Sequence, residues 1–185
     1  YLCNFSVFQS LLDHWALDQL FPIMPINKLK TAPECEATLV DITCDSDGKV
    51  DRFIDFEDTS NTLPLHDIQV DESGHLKDDY YLGFFLMGAY QDIMGDLHNL
   101  FGKVNEAHVF LDEDEPSGYY IEEVIEGSNV GLALSSVQYD QRELKRHMKR
   151  QVDRAIKADQ MKPREGMRLL RDYDQGLSDY TYLSS

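Results

Sequence analysis

In the stretch DITCDSDGKVD, Asp41 to Asp51, one thiol stands among carboxylates: Cys44 is followed directly by Asp45, then by Asp47, Gly48 and Asp51. Such residues serve metal binding, thiol chemistry, or recognition of a cationic substrate. The metal reading fails on spacing. With Gly48 set on the turn glycine of a calcium loop, Thr43 falls where the first carboxylate belongs and Ile54 where the bidentate Glu belongs. The histidines (14, 66, 75, 98, 108 and 147) never fall at zinc-ligand spacing with a cysteine, so no metal ligands are assigned. A tight turn accounts for DSDG, with Asp accepting local N–H groups and Gly48 supplying a positive φ. It does not account for Cys44. A thiol beside Asp45 and Asp47 has its thiolate disfavoured by like charge, and is a poor nucleophile unless a cation or a bound cofactor lies near. A turn that pushes carboxylates outward beside a thiol also suits a site that grips a cation and hands over one proton. Carboxylate and guanidinium make a bidentate, charge-assisted pair, which points Asp45 at an arginine-like ligand. The turn and the site remain alternatives at this level.

A second candidate is GAYQDIMG. Gly88 and Ala89 leave space at a strand end, Tyr90 presents a phenol there, and the start of a following helix favours anions such as phosphate. A tyrosine after a buried strand also serves packing.

The elements that must hold these residues follow from pattern. In the first thirty residues Pro22 and Pro25 forbid a continuing helix, so this segment reads as a strap laid on a larger body. ATLVDI (37 to 42) and VDRFIDF (50 to 56) form a hairpin-like pair across DSDG. Residues 57 to 79 read as a surface loop. YYLGFFLMGAY (80 to 90) is too continuously apolar to face water and is expected as a central strand, with Tyr80, Tyr81 and Phe84 to Met87 in the core. It ends at Gly88, and a short helix begins near Tyr90 with Ile93, Met94, Leu97 and Phe101 at helical spacing. AHVFL (107 to 111) and YYIEEVIEG (119 to 127) read as a further hairpin, giving a sheet of about five strands. Then Leu144, Met148, Val152 and Ile156, and after Pro163 Met167, Leu170, Tyr173 and Leu177, mark two amphipathic helices. The expectation is a mixed α+β chain, residues 1–127 forming a β-domain and 128–185 a helical domain.

Composition narrows the function classes. The net charge of −17 over 185 residues argues against nucleic acid, whose affinity needs clustered Lys and Arg. Residues 41–79 carry twelve Asp/Glu against three Lys/Arg, whereas 141–157 carry seven Lys/Arg against two Asp/Glu, so a basic helix faces either solvent or an acidic surface. Cys3, Cys35 and Cys44 make an odd count, which favours a reducing cytosol over a disulfide framework. No stretch approaches the ~20 apolar residues of a membrane helix. The start, YLCNFSVFQS, lacks an initiator Met and a basic leader, and reads as a piece of something longer.

Four stretches carry a family resemblance: NFSVFQSLLDHWALDQLFPIMPI, LVDITCDSDGKVDRFID, YLGFFLMGAYQDIMGDLHNLFG and GLSDYTYL. Together they span nearly the whole chain, which resembles the C-terminal part of biosynthetic arginine decarboxylases, pyridoxal-phosphate enzymes of the alanine-racemase-like fold. The resemblance implies a β-sandwich or barrel-like C-terminal domain followed by a helical tail. It also implies a separate (β/α)₈ barrel, absent from this chain, that carries the cofactor on a lysine. Active sites would be shared across a homodimer or homotetramer, magnesium would sometimes be required, and the product, agmatine, would feed polyamine synthesis in the cytoplasm. By residue, it implies that Cys44 returns a proton to Cα after CO₂ leaves, and that Asp45, with Asp47 and His98, binds L-arginine. It further implies that Gly88, Ala89 and Tyr90 hold the cofactor phosphate. No lysine of this chain stands out as the cofactor's, so the chain alone is expected to be inactive. A non-catalytic assembly or regulatory module that binds a barrel is the alternative.

Overall fold

The computed structural model describes residues 1–74 and 76–184, so His75 of the histidine set lies outside the described residues. Two compact units make up the chain, Tyr1–Asp96 and Leu97–Ser185.

In the first unit the N-terminal segment is more than a strap. It forms α1 (Val7–Ser10), α2 (Leu12–Leu17) and β1 (Ile23–Pro25). Ser6 caps α1 by accepting the Gln9 N–H at 3.3 Å. The residues before it run alongside β3 (Leu39–Val40), with Val40 N–H donating to Tyr1 O at 2.9 Å and Cys3 N–H to Val40 O at 2.8 Å. Val7, Leu11 and Phe21 then enter the core together with Leu39, Val50, Phe53, Leu63 and Leu65. Leu39, Val50 and Leu65 are fully buried, each contributing about 1.5–3 kcal/mol.

Among the described residues the strands form five separate two-stranded sheets, not one sheet of about five strands, and the sandwich or barrel-like closure expected above is not seen. The hairpin across DSDG is present, its paired part confined to β3 and β4 (Lys49–Val50), with Leu39 opposite Val50. β5 (Phe53–Ile54) pairs with β6 (Thr59–Ser60), and β2 (Cys35–Ala37) with β7 (Leu63–Leu65). The segment 57–79 is therefore only partly a surface loop. Its acidic composition conceals Leu63, Leu65 and His66, all buried. Burial of His66 is matched by partners on both ring nitrogens, Tyr80 Oη at 2.8 Å and Thr31 O at 2.9 Å.

The segment expected as a central strand is the clearest departure. Only β8 (Leu82–Phe84) is strand, paired with β1 alone. Tyr80 and Phe84 pack against the core, but Tyr81, Phe85, Leu86 and Met87 are exposed. Leu86 has φ +60°, a left-handed conformation that ends the strand. The helix expected near Tyr90 is α3 (Ala89–Met94), although its Ile93 and Met94 lie exposed.

In the second unit, β9 (Glu106–Leu111) and β10 (Tyr119–Ile125) form the expected antiparallel hairpin, with a bulge between Ile121 and Glu123. Three helices follow: α4 (Val130–Ser136), which no periodicity announced, α5 (Gln141–Lys157) and α6 (Pro163–Ser178). Their starts are chemically specified. Asn129 accepts Leu132 N–H, Asp140 accepts Glu143 N–H, and Pro163 opens α6 with Glu165 accepting Lys162 N–H. Val152 and Leu177 are buried as expected, but Met167 is exposed. A Lys145–Asp174 ion pair links α5 and α6. The terminal segment closes the unit: Tyr182 Oη donates to Gly102 O at 2.7 Å while its ring packs on Phe101.

Gly166 sets how closely α5 and α6 approach, since a Cβ there would lie 2.7 Å from Val152 Cγ1 and 2.9 Å from Ile156 Cδ1. Gly166→Val is expected to destabilise the chain by roughly 1–3 kcal/mol in urea unfolding, the usual range for overpacking. Gly176→Ala, on the same helix with nothing within 4 Å of the added methyl, is expected to be neutral or to stabilise by about 0.5–1 kcal/mol.

Candidate functional site

Eight residues, 41 to 48, join β3 to β4, and their hydrogen bonds divide them into a buried base and an exposed rim. Asp41 is the base. It is 4% exposed; its Oδ2 accepts Val7 N–H at 2.8 Å, and its Oδ1 accepts Thr43 N–H at 2.8 Å and Thr43 Oγ1–H at 2.7 Å. Three donors on one carboxylate offset the cost of taking it out of water. Its own N–H donates to Gly48 O at 2.8 Å, closing the loop. The rim is Cys44, Asp45, Ser46 and Asp47, all exposed.

The rim is a turn of the expected kind in one respect. Asp45 Oδ1 accepts Asp47 N–H at 2.9 Å and Asp45 O accepts Gly48 N–H at 3.1 Å. Gly48, however, is not there for a positive φ; the described glycines with positive φ are Gly74 and Gly118. Its constraint is space. A Cβ on Gly48 would lie 2.2 Å from Asp41 Oδ1 and 2.6 Å from Thr43 Oγ1, so a side chain would collide with the buried base.

Two neighbours fix the rim further. Trp15 of α2, edge-on to Phe8, donates its indole N–H to Asp47 Oδ2 at 3.2 Å. On the β4 side Lys49 pairs with Asp51 at 2.6 Å, and that hydrogen bond holds its ammonium above the usual lysine range. The outcome is a thiol and two carboxylates facing water on a loop held from beneath. Such a set of groups can grip a cation and offer one S–H.

The second candidate lies in the same unit. Gly88 caps α3 in extended conformation (φ −94°, ψ 171°), with nothing within 4 Å of where a Cβ would be, and Tyr90 on the first turn is 74% exposed. Gln91 moors this short helix. Nearly fully buried, it accepts Asp13 N–H at 3.2 Å and donates to Asp13 Oδ2 at 2.5 Å, tying α3 to α2. An open phenol at a glycine-lined turn can donate to a phosphate oxygen.

His98 belongs to the second unit. It is half-buried in a 3₁₀ turn (His98–Leu100) where Asn99 and Leu100 both have positive φ, 56° and 62°. The structure thus brings Cys44, Asp45 and Asp47 into one loop, and Gly88, Ala89 and Tyr90 into one helix start. Among the described residues no three His, Cys, Asp or Glu side chains stand together as a metal site. Asp41, Trp15 and Gln91 were missed by the sequence reading. The signal for Asp41 was its position, at a strand end with a glycine seven residues on; for Trp15 and Gln91, whose partners are distant in sequence, there was none.

Comparison with known proteins places these features in context. A family model, the arginine decarboxylase C-terminal helical extension, matches residues 130–183. The biosynthetic arginine decarboxylase of Gloeobacter violaceus is 46% identical over 187 residues, covering 100% of this chain and 28% of that protein. That of Nostoc is 48% identical over 185 residues, covering 100% of this chain and 26% of that protein. The chain thus spans little more than a quarter of the length of these relatives. The crystal structure of the biosynthetic arginine decarboxylase of Campylobacter jejuni superposes with a TM-score of 0.82 at 36% identity, over 100% of this chain and 29% of that one.

The two site glycines separate by substitution. Gly48→Ala is expected to cost roughly 1–3 kcal/mol by overpacking against Asp41. Gly88→Ala, in an allowed backbone region beside open space, is expected to stay within about 0.5 kcal/mol. Urea unfolding of the purified chain, read by far-UV circular dichroism, checks both.

Proposed function

Since the chain belongs, as a C-terminal portion, to the biosynthetic arginine decarboxylases, we propose that it supplies one half of an active site that converts L-arginine to agmatine and CO₂. The other half is a cofactor-bearing barrel, met across the interface of a homodimer or homotetramer. Agmatine then enters polyamine synthesis, and the setting is the cytoplasm. No helix among the described residues is long and apolar enough to cross a membrane.

The observation that carries this reading is the exposed Cys44–Asp45 pair on a loop held by a buried carboxylate. Asp45 binds the guanidinium of arginine as a charge-assisted pair, and Asp47, held by Trp15, adds negative charge beside it. Cys44 gives its S–H proton to Cα once CO₂ has left. The residues at the start of α3 fit pyridoxal phosphate: the Tyr90 phenol donates to a phosphate oxygen, and the space beside Gly88 lets that group approach the backbone. When bound, the cofactor supplies the electron sink for decarboxylation. Magnesium is an expectation of the family resemblance, with no ligands assigned among the described residues.

A second reading, an assembly or regulatory module, draws on α5. Arg142, Arg146, Lys149, Arg150, Arg154 and Lys157 are all exposed on it, a basic surface suited to an acidic partner.

The test is agmatine release from labelled arginine by the full-length protein that carries this chain, with lysine and ornithine as competitors. Asp45→Ala is expected to lower kcat/KM for arginine by about 100-fold or more, the scale of losing a charge-assisted pair. Cys44→Ala is expected to lower kcat by roughly 100- to 10,000-fold, the range for removing a positioned acid. Wild-type turnover by both variants defeats the reading, and leaves the loop as a turn.

A further inference from the structure

Among the described residues, the one buried carboxylate of this strongly acidic chain is Asp41. A buried carboxylate is costly unless donors surround it, and a neutral turn residue could close the same short hairpin without that cost. Its placement therefore needs a reason. The donors supply one. Oδ2 takes the N–H of Val7, a fully buried core residue at the start of α1. Oδ1 takes both the N–H and the hydroxyl of Thr43, which directly precedes Cys44. One carboxylate thus joins the core, through α1, to the backbone that carries the thiol. Gly48 closes the cage from the other side, since any Cβ there would strike Asp41 Oδ1.

We propose that Asp41, acting through Thr43, is the positioning residue that holds Cys44 and Asp45 at their working place, an inference that rests on the catalytic reading above. Two-residue strands on either side fix the loop ends poorly, whereas the hydrogen bonds of Asp41 tie the backbone just before Cys44 to the core. Asp41 touches no substrate and takes no proton in the reaction. Its effect is felt by the step that Cys44 serves and by the binding that Asp45 serves.

The assay uses the full-length protein with its cofactor, with melting curves to fix the folded fraction of each preparation. Five variants are compared: Asp41→Asn, Thr43→Val, Thr43→Ser, the double variant Asp41→Asn with Thr43→Val, and Cys44→Ala as reference. Asp41→Asn replaces one acceptor oxygen with a donor, and Thr43→Val removes the hydroxyl at nearly constant volume. Both are expected to lower kcat per folded site by roughly 10- to 100-fold, the scale of about 1 Å of misplacement, with a rise in KM for arginine. Thr43→Ser, which keeps the hydroxyl, is expected to restore turnover to within about 3-fold of wild type, inside ordinary mutational scatter. The double variant is expected to be no worse than Asp41→Asn alone, because both act on one link. A merely structural clamp lowers the melting temperature and leaves kcat and KM per folded site unchanged; that result, with Cys44→Ala inactive, overturns the proposal and spares the catalytic reading. If Cys44→Ala itself turns over normally, the catalytic reading falls and the proposal with it. If Asp41→Asn yields no folded protein, the contrast between Thr43→Val and Thr43→Ser decides alone: equal turnover overturns the proposal and a hydroxyl-dependent loss sustains it.

Discussion

A strand pair two residues long cannot hold its loop by ladder bonds alone, and the described pairs of the first unit are only two or three residues long. Order in it comes instead from a few long-range anchors: the apolar cluster of Leu39, Val50 and Leu65, and the carboxylate of Asp41 reaching back 34 residues to Val7. The first supplies most of the stabilisation, because burial scales with area. The second supplies direction, because a hydrogen bond specifies an angle and a distance where apolar contact does not. The two meet at β3, where Leu39 points into the core and Asp41 leaves the strand to open the loop.

The remaining polar anchors repeat this division of labour. Gln91 ties α3 to α2, Trp15 ties α2 to Asp47, and His66 joins Tyr80 to Thr31. Each crosses from one short element to another, and each buried member has its partners within hydrogen-bond distance. The candidate loop and the candidate helix start are both moored to α2, the loop through Trp15 and the helix through Asp13. A disturbance of that helix therefore reaches both.

Legibility in the sequence followed the range of the signal. Local ones worked: the hairpin across DSDG, the hairpin 106–125, the helix after Gly88 and the two long helices with Asp140 and Pro163 at their starts. Continuous apolarity failed as a guide to a strand. In Tyr80 to Tyr90 it promised a central strand, whereas most of those side chains stand exposed in the described chain. Apolar side chains mark what must be covered, not what covers it, and a site completed by another surface leaves that mark without local burial. Acidic composition failed in the opposite sense, hiding Leu63 and Leu65 inside a segment that reads as solvent loop. For the site, the motif residues were legible and their supports were not, since Val7 with Asp41 and Asp13 with Gln91 are pairs that only the fold brings together.

Tyr182 and Gly102 lie 80 residues apart, and their hydrogen bond closes the second unit. At a ribosomal pace of about 5–20 residues per second, Gly102 waits roughly 4 to 16 s for the tyrosine that secures it. The hairpin 106–125 is made during that interval, and its Val109, Phe110, Ile121 and Val124 stay exposed after Tyr182 has closed the unit. The first unit has all its anchors by residue 96 and can settle while the second is still being synthesised. In the nascent chain the second unit is thus the later to be secured, and the ring at position 182 marks when Gly102 is tied down.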